Sequence, residues 1–273
     1  MDYSKIKLIV TDMDGTLLNS DHEVSQRFFE AFRKLRNRGI KLAVASGRQY
    51  YSLRERMEPV KDEMIYIAEN GAIVIDRGEE KHLVPMDIRI VHQIIKEVRE
   101  LENKYLILCG RKQAYIESTA PEFMKPFLDH YEKYKVVKDL LQVKDDIFLK
   151  VTICDLRGAE KNSMPYVEHF KKELQVKLSG EIWIDFNDKK AQKGNALKAL
   201  QENLGITKEE TMAFGDYLND LELFEHAGIG YAVENAHEEV KKVAAHVTKS
   251  NDEFGVEMIL EEVLEKISVE AEQ

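Results

Sequence analysis

The chain has 273 residues, 44% of them hydrophobic and 33% charged, a globular composition long enough for one large domain or two modest ones. Its net charge of −10 argues against a nucleic-acid ligand, because phosphate backbones are bound by clustered Lys and Arg. No apolar run reaches the roughly 18 residues that a membrane-spanning helix needs, and the opening MDYSKIKLIV lacks the long apolar stretch of a signal peptide.

The first elements alternate strand with helix. Ile6–Val10 is an apolar run of strand length, and it is followed at once by Thr11-Asp12-Met13-Asp14-Gly15. Ser25 suits the N-cap of a helix carrying Phe28, Phe29, Phe32 and Leu35 on one face, with Gly39 as its stop. A second buried strand, Leu42–Ala45, ends at Ser46-Gly47-Arg48, and a third, in "MIYIAENG", follows a short helix around Tyr50–Met57. Near-continuous apolar strands separated by helices are the pattern of a parallel sheet covered on both faces.

The middle of the chain has another rhythm. "GAIVID" and "KHLVPM" read as short strands around a polar turn at Asp76–Glu80, before a helix with Ile88, Val91, Ile94, Ile95 and Val98 on one face. Then come strands "YLILCG" and "QAYIES", a helix near Pro121–Tyr134, the strand "IFLKVTICD", a helix at about Glu160–Leu174, and a hairpin in "VKLSGEIWIDF" turning at Ser179-Gly180. This predicts an antiparallel sheet with helices on one side. After Lys193 the first rhythm returns: "GNALKALQENLGI" is a helix closed by Gly205, and "TMAFGD" a strand ending at Gly215-Asp216. A helix over Asp220–His226, the strand "IGYAV", a further helix and an amphipathic C-terminal helix (Met258, Ile259, Val263, Leu264, Ile267) complete it. The expected architecture is an α/β core of residues 1–83 and 190–273, interrupted by an α+β domain of residues 84–189, with crossings near 82–86 and 187–192.

In open parallel sheets, ligands gather at the carboxyl ends of the strands. The first strand brings Asp12 and Asp14 there, the second Ser46 and Gly47, and the strand after Lys193 brings Asp216, with Asn219 and Asp220 just behind it. Burying apolar strands requires none of these carboxylates. Clustered and unpaired, they would repel and shift their pKa values upward. A divalent cation relieves that, and two carboxylates such as Asp12 and Asp216, with waters and a substrate phosphate, are how magnesium is usually held. Lys193 and Ser46 suit a phosphoryl group, the lysine as a point charge and the serine, with backbone amides, as neutral donors. One aspartate can then serve as nucleophile and its neighbour as acid/base.

"DMDGTLL", Ser46-Gly47-Arg48, Lys193-Gly194 and "GDYLND", in this order, resemble the motifs of the haloacid dehalogenase (HAD) superfamily, and the resemblance spans essentially the whole chain. "ENGA" at 69–72 and the long insertion before Lys193 resemble its Cof-type sugar-phosphate phosphatases. The resemblance implies a Rossmann-like core with a parallel sheet and an inserted α+β cap that closes over the site. It implies Asp12 as the nucleophile and Asp14 as the acid/base. Mg2+ would be bound by the Asp12 carboxylate, the Asp14 backbone carbonyl and Asp216. Ser46, Gly47, Lys193 and Asn219 would hold phosphate, and Asp220 would partner a metal-bound water or the lysine. Gln192 departs from the family pattern, which usually has serine before the lysine.

The leading expectation is therefore a Mg2+-dependent phosphatase acting through an aspartyl-phosphate on small metabolites, sugar phosphates first. The alternatives are a phosphosugar mutase or phosphotransferase on the same core, and a non-catalytic phospho-aspartate receiver or metabolite-binding module. Arg48, at a helix start, reads as solvated, and Trp183 and Tyr115 read as core of the inserted domain. Cys109 and Cys154 lack the spacing of a zinc site or a disulfide framework and read as small buried apolar residues in a reducing, cytoplasmic location. The partner expected is a small phosphorylated metabolite, with neither nucleic acid nor membrane, on a monomer or homodimer.

Overall fold

The computed structural model describes residues 3–270. The strands in chain order are β1 (Leu8–Asp12), β2 (Lys41–Ala45), β3 (Ile65–Ala68), β4 (Ile73–Asp76) and β5 (Glu79–Leu83). β6 (Tyr105–Gly110), β7 (Ala114–Ile116), β8 (Tyr134–Val136), β9 (Phe148–Cys154), β10 (Leu174–Gly180) and β11 (Trp183–Asp188) follow. β12 (Thr211–Gly215), β13 (Ile229–Ala232) and β14 (His246–Val247) close the set.

The chain divides into two compact units. One holds the residues up to Ser46, then Leu53–His82 and those from Gln192 onward; the other holds Gly47–Ser52 and Leu83–Ala191. Gly47–Ser52 thus leaves its sequence neighbours for the second unit. Its side chains explain this, because Arg48 Nη1 donates to the Asp129 carbonyl (2.8 Å) and the Gln49 amide donates to the Lys133 carbonyl (2.9 Å).

The first unit is an eight-stranded sheet in the order β14-β13-β12-β1-β2-β3-β4-β5. From β14 to β3 it is parallel, and β4 runs antiparallel to β3. Every residue of β1 is buried, which is why its sequence shows an apolar run rather than an alternation. Leu8 and Val10 pack with Ala43, Ile65 and Ala213 against Ala196, Leu197 and Leu200 of the helix Lys193–Leu204. Ser25 caps the helix Gln26–Asn37, accepting from the Phe28 amide, and this helix is tied to the C-terminal helix Gly255–Glu270 through Arg27 and Glu261 (2.7 Å). β4 and β5 meet at Arg77-Gly78, both at positive φ (48° and 79°), a turn that matches strand twist.

The second unit is a six-stranded sheet, β10-β11-β9-β6-β7-β8, antiparallel except for the parallel edge pair β7/β8. One face (Leu106, Leu108, Val151, Ile153, Ile184, Phe186) packs on the helix Ile88–Arg99 through Val91, Ile94, Ile95 and Val98. Part of the other face (Ile107, Cys109, Ala114, Ile116, Cys154) is covered by Phe123 and Phe127 of the helix Pro121–Leu128. Helices therefore cover both faces, not one. Trp183 and Tyr115 are core residues, and both cysteines are buried and unbridged.

Three element boundaries differ from expectation. The helix from Pro121 stops at Leu128, because the open edge of β7 recruits Tyr134–Val136 as a strand. The stretch 160–174 is broken into Ala159–Asn162, Met164–Val167 and a 3-10 turn at Glu168–Lys172, since Pro165 has no amide hydrogen to continue the first helix. The last hairpin turns at Glu181-Ile182, with Gly180 still paired to Trp183 across a bulge. No helix among the described residues is long and apolar enough to cross a membrane.

Leu200 is fully buried on the helix that starts with Lys193. Leu200→Ala should lower the unfolding free energy by about 2–5 kcal/mol, measured as a lower urea midpoint at unchanged slope.

Candidate active site

β1 ends at Asp12, and the chain then makes a wide turn, Met13–Leu17, closed by the Leu18 amide donating to the Met13 carbonyl (2.8 Å). The turn needs glycine at position 15 for two reasons. Its φ is +81°, and a Cβ there would lie 2.5 Å from Asp216 Oδ2. β12 lies beside β1 in parallel register, Thr11 opposite Phe214, so its end places Gly215 and Asp216 next to Asp12.

Lys193, the first residue of its helix, is only 2% exposed. Its Nζ donates to Asp12 Oδ1 (2.5 Å) and Asp220 Oδ1 (2.7 Å). Asp220 Oδ2 accepts from the amides of Asp216 and Tyr217, each at 3.1 Å. Asp216 Oδ1 accepts from the Thr16 hydroxyl (2.9 Å). Among the described residues, carboxylate oxygens of Asp12, Asp216 and Asp220 lie within 4.8 Å of one another, close enough to share one divalent cation.

The Asp14 carboxyl lies apart from this trio. Asp14 is half-buried with extended backbone (φ −77°, ψ 118°), and its Oδ2 is 3.5 Å from the Ser46 hydroxyl. Ser46 itself is buried, with its amide donating to the Ile67 carbonyl (2.9 Å) and its carbonyl accepting from the Asn70 amide (3.1 Å). The Ser46 amide is therefore committed to the sheet, and its hydroxyl is the donor it has left. Asn219 is half-buried in the one-turn helix Leu218–Asp220. Gly47 is half-buried at the start of the stretch that belongs to the second unit, where its carbonyl accepts from Lys150 Nζ (2.7 Å). Arg48 is 6% exposed, so the solvated reading fails: its guanidinium is spent on the end of the Pro121–Leu128 helix.

A lysine opening a helix faces an unfavourable dipole, and burial alone would lower its pKa. The Asp12 and Asp220 carboxylates reverse that and hold Lys193 charged. Burial pushes the Asp12 carboxyl up, Lys193 opposes it, and Asp220, Asp216 and Asp14 add to the upward push. Asp216 is raised to about 6, by burial first and then by Asp220. Cys154 is pushed up to about 12 by burial and supplies no thiolate at neutral pH.

Two contributors were not read from the sequence as site residues. Thr16 is fully buried and orients Asp216; a threonine directly after Asp-Gly was the available signal. Glu69, Asn70 and Gly71 are consecutive left-handed residues (φ 52°, 61° and 90°), and a Cβ on Gly71 would come 2.4 Å from the Gln192 carbonyl. This strained turn packs against the backbone that introduces Lys193, which is the physical content of "ENGA".

A profile of the haloacid dehalogenase-like hydrolase family matches residues 9–260. The chain is 30% identical to the phosphatase YwpJ of Bacillus subtilis, over 95% of this chain and 100% of that protein. It is 29% identical to the 5-amino-6-(5-phospho-D-ribitylamino)uracil phosphatase YbjI of Escherichia coli, over 95% and 96% of the two chains. The solved structure of a haloacid dehalogenase-like hydrolase from B. subtilis superposes with a TM-score of 0.83 at 28% identity, covering 94% of this chain and 99% of that one.

A raised carboxyl pKa favours the fold only while the group is protonated. The stability linked to Asp216 is thus present below about pH 4 and lost as pH rises through about 6. In the metal-free protein, Asp216→Asn should stabilise by roughly 1–3 kcal/mol at pH 7.5 and by nothing near pH 4. Urea unfolding in EDTA at the two pH values measures this, and an equal effect at both would remove the ionisation cost from Asp216.

Proposed function

The chain belongs to the haloacid dehalogenase-like hydrolases and is a phosphatase, and from that premise we propose that it hydrolyses phosphomonoesters of small cytoplasmic metabolites through a phosphorylated Asp12, with Mg2+ as cofactor. The observation that carries this reading is the buried Asp12 at the end of β1, neutralised by Lys193 at 2.5 Å and adjoining Asp216. Enzymatic relatives over nearly the whole chain leave the non-catalytic module reading without support.

The donor set suits a hard divalent cation. Both Asp220 oxygens already accept hydrogen bonds, which leaves Asp12 and Asp216, the number of carboxylates with which magnesium is commonly held. With the Asp14 carbonyl as a further oxygen ligand, magnesium would supply positive charge to the phosphoryl oxygens and to the crowded carboxylates.

Asp12 Oδ attacks phosphorus, forming an acyl phosphate as the bond to the leaving oxygen breaks. Asp14, outside the carboxylate trio, gives its proton to that oxygen. It then takes one from the water that attacks the acyl phosphate, so that inorganic phosphate leaves and Asp12 is restored. Lys193 shields Asp12 from the incoming dianion, while the Ser46 hydroxyl, Gly47 and Asn219 hold phosphoryl oxygens. The leaving group we propose is a primary hydroxyl of a sugar or polyol chain. The name of the E. coli relative specifies such a phosphate, on a ribityl chain.

A panel of hexose and polyol phosphates, assayed for inorganic phosphate with Mg2+ and with EDTA, tests the proposal. Release that EDTA abolishes and Mg2+ restores is expected; an isomeric sugar phosphate in its place would make the enzyme a mutase. Asp12→Asn should lower turnover by roughly three orders of magnitude or more with the circular dichroism spectrum retained, and wild-type turnover in that variant would remove Asp12 from the reaction. Asp14→Asn should cost kcat/KM more on an alkyl phosphate, whose leaving oxygen needs a proton, than on p-nitrophenyl phosphate, whose leaving oxygen does not.

A further inference from the structure

The wide turn that carries Asp14 is held from outside by residues far along the chain. Asn235 Nδ2 donates to the Gly15 carbonyl at 2.7 Å, and Asn235 Oδ1 accepts from the Asn251 amide at 3.1 Å. Asn251 Nδ2 in turn donates to the Leu18 carbonyl at 2.8 Å. One link beyond, Asp252 accepts from both the amide and the hydroxyl of Ser20, each at 2.7 Å. Two carbonyls of the turn, one in its middle and one at its exit, are thus fastened to a pair of asparagines that are fastened to each other. The same short loop reaches the other half of the site, where the His237 amide donates to the Asp216 carbonyl (2.8 Å).

We infer that Asn235 and Asn251 are positioning residues for the reaction, holding the Met13–Leu17 turn so that the Asp14 carboxyl is presented to the leaving oxygen. The reason lies in the backbone. Gly15 is the residue of the turn with the widest conformational freedom, at φ +81° and ψ −6°. The chain is anchored before Gly15 by β1 and after it by buried Thr16. A change in the Gly15 torsions must therefore be taken up by compensating rotation at Met13 and Asp14, which moves the Asp14 carboxyl relative to Asp12. Fixing the Gly15 carbonyl removes that freedom from one side, while the Leu18 to Met13 hydrogen bond and Asn251 fix the exit. Core packing does not account for the pair, since Asn235 is exposed and Asn251 half-exposed. Nothing about Asn235 moves Asp12, whose position comes from β1 and Lys193. The clasp therefore acts on the proton-transfer carboxyl and leaves the nucleophile alone.

The inference rests on the roles proposed above for Asp12 and Asp14, and it has a signature that loss of structure lacks. A misplaced acid penalises a poor leaving group and spares a good one. We expect Asn235→Ala to lower kcat/KM on an alkyl phosphate, such as a hexose 6-phosphate, by roughly tenfold or more. Its value on p-nitrophenyl phosphate should change by less than about threefold, and its melting temperature little. Asn251→Ala should share the pattern, and the double variant should fall no further than the worse single one, because the two side chains act as one device. Asn235→Asp keeps an acceptor for the Asn251 amide but loses the donor to Gly15, so it should resemble Asn235→Ala. An equal loss on both substrates, or additive losses in the double variant, would overturn the clasp while leaving the phosphatase reading intact. If the wild-type enzyme released phosphate from neither substrate, or if Asp14→Asn showed no leaving-group dependence, the reading beneath it would fail first.

Discussion

The site depends on one buried cation. Lys193 is held between Asp12 and Asp220, its charge set against carboxylates that burial alone would drive toward the neutral form. Removing either partner from such a pair usually leaves an uncompensated charge in a low-dielectric interior, a cost larger than the net worth of the pair. The arrangement is tolerable because Asp220 is itself satisfied by the two amides of the Asp216 turn. The lysine therefore does more than offset Asp12. It couples the end of β1 to the turn after β12, so the positions of Asp12 and Asp216, the proposed nucleophile and metal carboxylate, are set together.

The alternation of apolar strands and helices was legible because strands buried on both faces are continuous apolar runs with polar residues only at their ends, as β1, β2 and β3 show. The residues of the site were legible as types at strand ends, since strands of a parallel sheet terminate along one edge. What the sequence hid was the use of individual atoms. Nothing in "VASGR" says that the Ser46 amide is taken by Ile67, or that Arg48 turns away to cap a helix. Tertiary partners decide such matters, and those partners lie tens to hundreds of residues away. The misjudged elements were similarly overruled, by an unpaired strand edge at β7 and by one proline in the helix after β9.

Asp12 and Asp14 illustrate how little separation in sequence is needed to place two carboxyls in different environments. One residue apart, they end in different environments because the chain leaves extended geometry between them. Asp12 keeps the register of β1, is buried, and faces Lys193. Asp14 sits on the turn, half-buried, near a serine hydroxyl. A straight strand would have given both carboxyls to the same face of the sheet. The wide turn breaks that equivalence, and Gly15 is the residue that makes the turn affordable beside Asp216.

The order of the strands also bears on how the chain is made. β1 lies between β2, which follows closely in sequence, and β12, which is separated from it by the whole second unit. On a ribosome, Asp12 emerges long before Lys193 and Asp220, and β1 waits with one edge open. The intervening unit is built largely from strands that pair with near neighbours, so it can consolidate first. The open edge of β1, apolar until its final residues, is then exposed to wrong pairing. Closing β12 onto it covers that edge and brings Asp216 and Asp220, which follow β12, to Asp12 and Lys193.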